Sequence, residues 1–235
     1  MNGVFDLGGT DGIGTVVVPE NEPVFRAEWE KVAFGMFSMC FRGGFFGVDQ
    51  FRFGMEQIDP AVYLKSPYYE HWIHTVEYHG ERTGKLDLDE LDRRTEFFLK
   101  NPEAPLPEHA DDPELLAFIE AVVPAGAPAK RESDKVARFA VGDTVRVLRG
   151  SPRGHTRKAR YIRGATGKVV LAHGTFIYPD TAGNNLGDCP EHVYTVRFEA
   201  DELWGEETAD ANQAVYFDVW DPYIELVKTE GAQAV

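Results

Sequence analysis

The chain has little cysteine, no long apolar run and, outside one stretch, a shortage of positive charge. Only Cys40 and Cys189 occur in 235 residues, one in a predicted helix and one in a predicted loop. Neither a disulfide framework nor a four-thiolate metal site can be built from them, and a reducing cytoplasm is the expected location. No apolar run approaches the roughly 18–20 residues that span a bilayer. The opening MNGVFDLGGTDGIGT has neither a basic n-region nor an apolar h-region, so ordinary secretion is not expected. Lys and Arg number 24 against 39 Asp and Glu, a net charge of −15, which argues against nucleic-acid binding by the surface as a whole.

One stretch lacks acid altogether. Residues 146–168, RVLRGSPRGHTRKARYIRGATGK, hold eight Lys and Arg in 23 positions, leaving about −23 on the rest of the chain. Before it GDTVRVL alternates apolar and polar residues at period two. After it the turn signal at 163–167 leads into GKVVLAHG, so the stretch reads as a loop carried by β structure. A segregated patch of this kind is either a solvated loop, a nucleic-acid surface, or a set of arginines aimed at an anionic site on a partner protein.

With 43% apolar residues the chain can bury a proper core in one or two domains. Residues 1–24 hold five glycines and no sustained period. They read as an extended arm that a partner surface would hold in place. The run GGTDGIG follows no strand and opens no helix, so it lacks the context of a phosphate loop. Residues 25–123 read as a helical domain. In the first helix, 25–41, Phe25, Trp29, Val32, Ala33, Met36, Phe37 and Cys40 recur at helical spacing. The second, 48–58, places Val48, Phe51, Arg52 and Met55 on one face, putting an arginine beside a phenylalanine.

Asp59-Pro60 and Ser66-Pro67 both look like a capping residue followed by a first-turn proline. The second pair opens a helix that puts Tyr68, His71 and Trp72 on one side and ends at Gly84. His71 and His74 lack a third ligand and the spacing of a metal motif, so no metal is expected in this chain. Asp87 and Glu90 predict a capping box, and Asp112 with Pro113 starts a further short helix. Residues 124–133, within PAGAPAKRES, read as a linker. From 134 to 235 the period becomes alternating, with several short strands between Gly, Pro and Asp turns and one helical turn at 199–205. The fold class is therefore α+β: arm, mainly helical domain, and a C-terminal SH3-like β-barrel.

Taken in order and spacing, DLGGTDGIG, FRAEWEKVAFGMF, SPYYEHW, SPRGHTRKARYIRG, IYPDTAG, LGDCPEHVYTVRFEADELWG and VWDPYIEL resemble the β subunit of nitrile hydratase over essentially the full length. The resemblance implies a lyase that hydrates nitriles to amides, active only with a separate α subunit, in an α2β2 heterotetramer. It further implies that the α subunit holds a cobalt(III) or iron(III) ion through cysteine thiolates, two of them oxidised, and that this chain binds no metal. The tryptophan in SPYYEHW and the IYPDTAG segment look more like the cobalt branch. The family's metal acts as a Lewis acid on the nitrile or on water.

By the same resemblance, Arg52 and Arg157 match the two arginines that hold the oxidised cysteine oxygens of the α subunit. A sulfenate or sulfinate suits a planar, permanently charged guanidinium fork. Phe37, Val48, Phe51, Tyr68 and Trp72 match the substrate pocket, and His71 is assigned to supporting hydrogen bonds. Where family members often carry leucine, this chain has Val48. Two other readings remain open: a KOW-like or SH3-like RNA-binding module, since GDTVRVLRG and GATGKVVL are similar to such barrels, and a cobalt-insertion activator, which lacks the long helical region.

Overall fold

The computed structural model describes residues 2–108, 111–210 and 212–227. The chain divides into two units, Val17–Pro128 and Met1–Val16 together with Ala129–Val235. The first carries α1 (Glu28–Arg42), α2 (Val48–Met55), α3 (Pro60–Lys65), α4 (Tyr68–Arg82), α5 (Leu88–Lys100) and α6 (Pro113–Ala125). The second carries β1 (Thr144–Val147), β2 (Thr166–Phe176), α7 (Pro179–Ala182), β3 (Glu191–Glu199), α8 (Ala200–Trp204), β4 (Ala214–Trp220) and β5 (Ile224–Leu226). This is an α+β fold. Among the described residues, no helix is long and apolar enough to cross a membrane.

In the helical unit the termini follow local chemistry. Helix α1 begins with Glu28 and Glu30 and ends with Arg42, matching its dipole. Gly44 (φ +69°) then lets Phe45 N–H return to Cys40 C=O at 2.9 Å. Asp59 caps α3 through Ala61 and Val62 N–H. Ser66 does not cap α4: its hydroxyl donates back to Val62 C=O at 2.7 Å, because it already lies in the exit turn of α3. Asp87 accepts from Glu90 N–H, but Arg93 and Arg94 engage the Glu90 carboxylate.

Helices α2 and α4 pack closely because Gly54 has no side chain: a Cβ there would lie 2.9 Å from Thr75 Cγ2. Thr75 Oγ1 donates to Phe51 C=O at 3.2 Å, and His79 Nε2 bonds Gln50 C=O at 2.7 Å. A carbonyl only accepts, so Nε2 carries the proton of a neutral ring. Beside these bonds Cys40, Phe46, Phe51 and Val76 form the buried core.

The strand unit is a five-stranded antiparallel sheet of order β4-β3-β2-β1-β5. Among the described residues no ladder joins β4 to β5. In β1 burial alternates as predicted. The run AVYFDVWDPYIEL is broken by a 3-10 turn at Asp221–Tyr223, which separates β4 from β5. Val145, Val147, Ile162, Val169, Tyr194, Val196, Phe198 and Val219 make the core.

Residues 2–16 belong to this unit, so the front of the expected arm is held by its own chain. Asp6 is 1% exposed. Its carboxylate accepts Arg160 N–H at 2.9 Å, and Arg160 Nη2 donates to Asp6 C=O at 2.8 Å. Next, Gly8 and Gly9 lie against the stacked rings of Tyr161 and Trp204, where a Cβ on either would come within 2.7 Å of a ring atom. The DLGG motif thus supplies one buried anion and two positions without side chains. Val16, Val17 and Val18 beyond it are exposed.

Two outcomes follow. Gly9→Ala combines a φ of +68° with that steric clash, and should cost about 1–3 kcal/mol and expose residues 2–12 to limited proteolysis. Gly12→Ala, at φ +78° with nothing within 4 Å, should cost less; equal protease sensitivity would contradict the docking described. Burial pushes the His79 pKa below its ordinary 6.5. The unfolded chain therefore binds the proton more readily, and stability should fall as pH drops below about 6.5 and level off beneath the folded pKa. Thermal melts against pH should be flatter for His79→Gln; an unchanged slope would contradict this.

Candidate substrate wall and arginine positions

On the helical unit, Phe37 of α1, Phe51 of α2 and Trp72 of α4 meet as a triangle. Their ring centroids lie 4.6 Å (Phe37–Phe51), 5.0 Å (Phe37–Trp72) and 5.0 Å (Phe51–Trp72) apart, at tilted or edge-on angles. Such aromatic contacts are rigid and favourable. Trp72 Nε1 is buried with no hydrogen-bond partner among the described residues. Tyr68 packs edge-on to Trp72 at 5.7 Å and remains 64% exposed, while Val48 at the start of α2 is 42% exposed. Tyr68 also borders a cleft of about 450 Å³ shared with Glu22, Arg26, Glu30 and Tyr69. Phe37, Phe51 and Trp72 are therefore packed together, whereas Val48 and Tyr68 lie at the surface.

Arg52 extends from α2 one turn beyond Asp49. Its Nη1 donates to Asp49 Oδ1 at 2.7 Å, with the aspartate nearly buried and the arginine 41% exposed at the side chain. The carboxylate fixes the guanidinium along the helix while leaving part of its fork open. The Asp-x-x-Arg spacing is visible in the sequence as an i,i+3 pair. His71 is buried, and its Nε2 bonds Tyr63 C=O at 2.9 Å while the two rings stack at 4.3 Å. Burial lowers its pKa against the pull of that carbonyl. His71 therefore ties α3 to α4.

On the strand unit, Arg157 sits in the basic loop between β1 and β2. The loop is not an evenly solvated run of charge. His155, Thr156, Lys158, Ala159 and Ile162 are buried, and Arg157 between them is partly exposed. Arg163 donates to Lys158 C=O at 2.8 Å and to Ser151, and Arg160 is taken by Asp6. Burial, with Arg163 adding to it, lowers the Lys158 pKa, and its ammonium lies 5.7 Å from the Tyr223 ring centroid.

Residues far off in sequence hold this loop. Asn184, just after α7, accepts His155 N–H at 3.1 Å and donates to His155 C=O at 3.1 Å and Asp180 C=O at 2.8 Å. Gly183 lies beneath the His155 ring, where a Cβ would come within 2.5 Å. The Tyr223 hydroxyl accepts Arg157 N–H at 3.2 Å and the Thr156 hydroxyl at 3.2 Å, and donates to the Asp180 carboxylate. Burial raises the Asp180 pKa, although the hydrogen bond from the Tyr223 hydroxyl pulls it back. Sequence reasoning gave no role to Asp6, Asp49, Asp180, Asn184 or Tyr223. Of these, Asp49 pairs with Arg52 three residues on and Asp180 with Asn184 four residues on; the other contacts are long-range.

Among the described residues, no group of three or more His, Cys, Asp or Glu side chains could hold a metal ion; Cys40 is buried and Cys189 exposed.

Family models describe the two parts separately: "Nitrile hydratase beta subunit, N-terminal" matches residues 1–115, and "Nitrile hydratase beta subunit, C-terminal" matches residues 128–226. The cobalt-containing nitrile hydratase subunit beta of Pseudonocardia thermophila is 62% identical over 234 residues, covering all of both chains. A nitrile hydratase subunit beta of a Rhodococcus species is 62% identical, also over the whole of both. The low-molecular-weight cobalt-containing nitrile hydratase subunit beta of Rhodococcus rhodochrous is 46% identical over 95% of this chain and 99% of its own. The chain belongs to the nitrile hydratase β-subunit family.

Proposed function

We propose that this chain works with a metal-bearing α subunit to hydrate a small nitrile to its amide, as a lyase active only in the assembly. The observation that carries the reading is the end-to-end identity of 62% with a cobalt-containing β subunit. Cobalt is accordingly the favoured metal. The family resemblance places it on the α subunit, and the contribution of this chain then lies in charge, shape and exclusion of water. The assembly is taken as α2β2 and cytoplasmic, and the strand unit as an SH3-like barrel.

Arg52 and Arg157 are assigned to the oxidised cysteine oxygens of the α subunit. Asp49 supports this for Arg52 by holding one guanidinium nitrogen while others stay open. The half-buried setting of Arg157 in a fixed loop supports it for the second. An anion at an interface is costly unless charge and hydrogen bonds meet it, so the same two side chains favour association. Phe37, Phe51 and Trp72 form the rigid wall of the substrate pocket, Val48 and Tyr68 its lip, and His71 holds the helix that carries Tyr68 and Trp72. The RNA-module reading is disfavoured because Arg160 and Arg163 are spent on internal contacts and Lys158 is buried. The activator reading leaves six helices without purpose.

In the assembled enzyme, Arg52→Lys and Arg157→Lys should each lower kcat by about tenfold or more. A lost charge-assisted bond is worth roughly 1.5–3 kcal/mol, and each 1.4 kcal/mol is a factor of ten. The variants should still fold and co-purify with the α subunit. Near-normal turnover in both would overturn the arginine assignment.

A further inference from the structure

Among the residues that hold the loop carrying Arg157, Tyr223 meets it at two points. Tyr223 is 2% exposed and closes the 3-10 turn before β5. Its carbonyl accepts Leu148 N–H at 2.8 Å, where the loop leaves β1. Its hydroxyl accepts Arg157 N–H nine residues later. One residue therefore pins both the start and the middle of the loop. Thr156 and Lys158 on either side of Arg157 are buried and Arg157 itself is half-buried, so the chain is held closely around residue 157. The hydroxyl is oriented from behind by Asp180, which sits in α7 on a turn fixed by Asn184.

We infer that Tyr223, held by Asp180, is a positioning residue for Arg157, fixing the backbone from which its guanidinium reaches the partner. This rests on the assignment of Arg157 to the oxidised cysteine oxygens. The physical need is plain. Eight cations in 23 residues repel one another, and a planar fork loses its value when displaced by about 1 Å. An anchor at the backbone of residue 157 itself removes that freedom without consuming the side chain.

The test uses the assembled αβ enzyme. Tyr223→Phe keeps the buried ring and removes only the hydroxyl. It should lower kcat about 3- to 30-fold with pairing to the α subunit intact. Added to Arg157→Lys it should cost little more, because the side chain it positions is already gone. Asp180→Asn keeps an acceptor for the Tyr223 hydroxyl and should lose much less than Asp180→Leu. That pair carries the same double-variant test if Tyr223→Phe does not fold. If Arg157→Lys lowers turnover but Tyr223→Phe does not, or if the two losses simply multiply, the positioning role is overturned while Arg157 keeps its own. If Arg157→Lys leaves turnover normal, the underlying assignment fails instead.

Discussion

Confining a run of like charges on a fixed backbone is the constraint on which the strand unit depends. Left to itself, a loop with six cations between β1 and β2 would expand into solvent. Here its neutral residues are drawn into the core: Ala159 and Ile162 pack with Val145, Val147, Val169 and Tyr223. Its polar backbone is met by Tyr223 and Asn184. Two anions, Asp6 and Asp180, complete the enclosure: Asp6 takes Arg160, and Asp180 anchors Tyr223. The loop is consequently part of the core with its arginines outward or internally paired.

The helical unit solves a related problem with other means. Its aromatic cluster is made rigid by packing. Phe37, Phe51 and Trp72 interlock, and behind them the α2–α4 contact is drawn tight by Gly54, Thr75 and His79. Arg52 grows from that same short helix, so the wall and one charge share a support. Val48 and Tyr68 stand at the exposed edge of this cluster.

How much of this was legible in the sequence depended on range. Helical spacing located α1 and α2 to within a few residues, Asp59, Asp112 and Gly84 marked real boundaries, and the single turn before Gly205 stands as α8. These signals are local, set by neighbours three or four positions apart. Ser66 misled because one residue served the exit of α3 rather than the entry of α4. The arm was read as held by a partner surface; at its front the structure shows an internal contact that no local pattern reports, from Asp6 to Arg160, 154 residues away. Tyr223 and Asp180 were hidden for the same reason, since no periodicity reports a hydrogen bond across 43 or 66 residues. The candidate arginines and wall came from resemblance, and their local supports came only from geometry.

The most direct test of the central claim is co-expression of this chain with its α subunit in cobalt-supplemented medium, followed by co-purification, metal analysis and an assay for amide formation from a small nitrile. The account predicts stoichiometric pairing, cobalt in proportion to the α subunit, and activity that neither chain shows alone. A chain that purifies unpaired, or a cobalt-loaded pair that leaves the nitrile untouched, would contradict it.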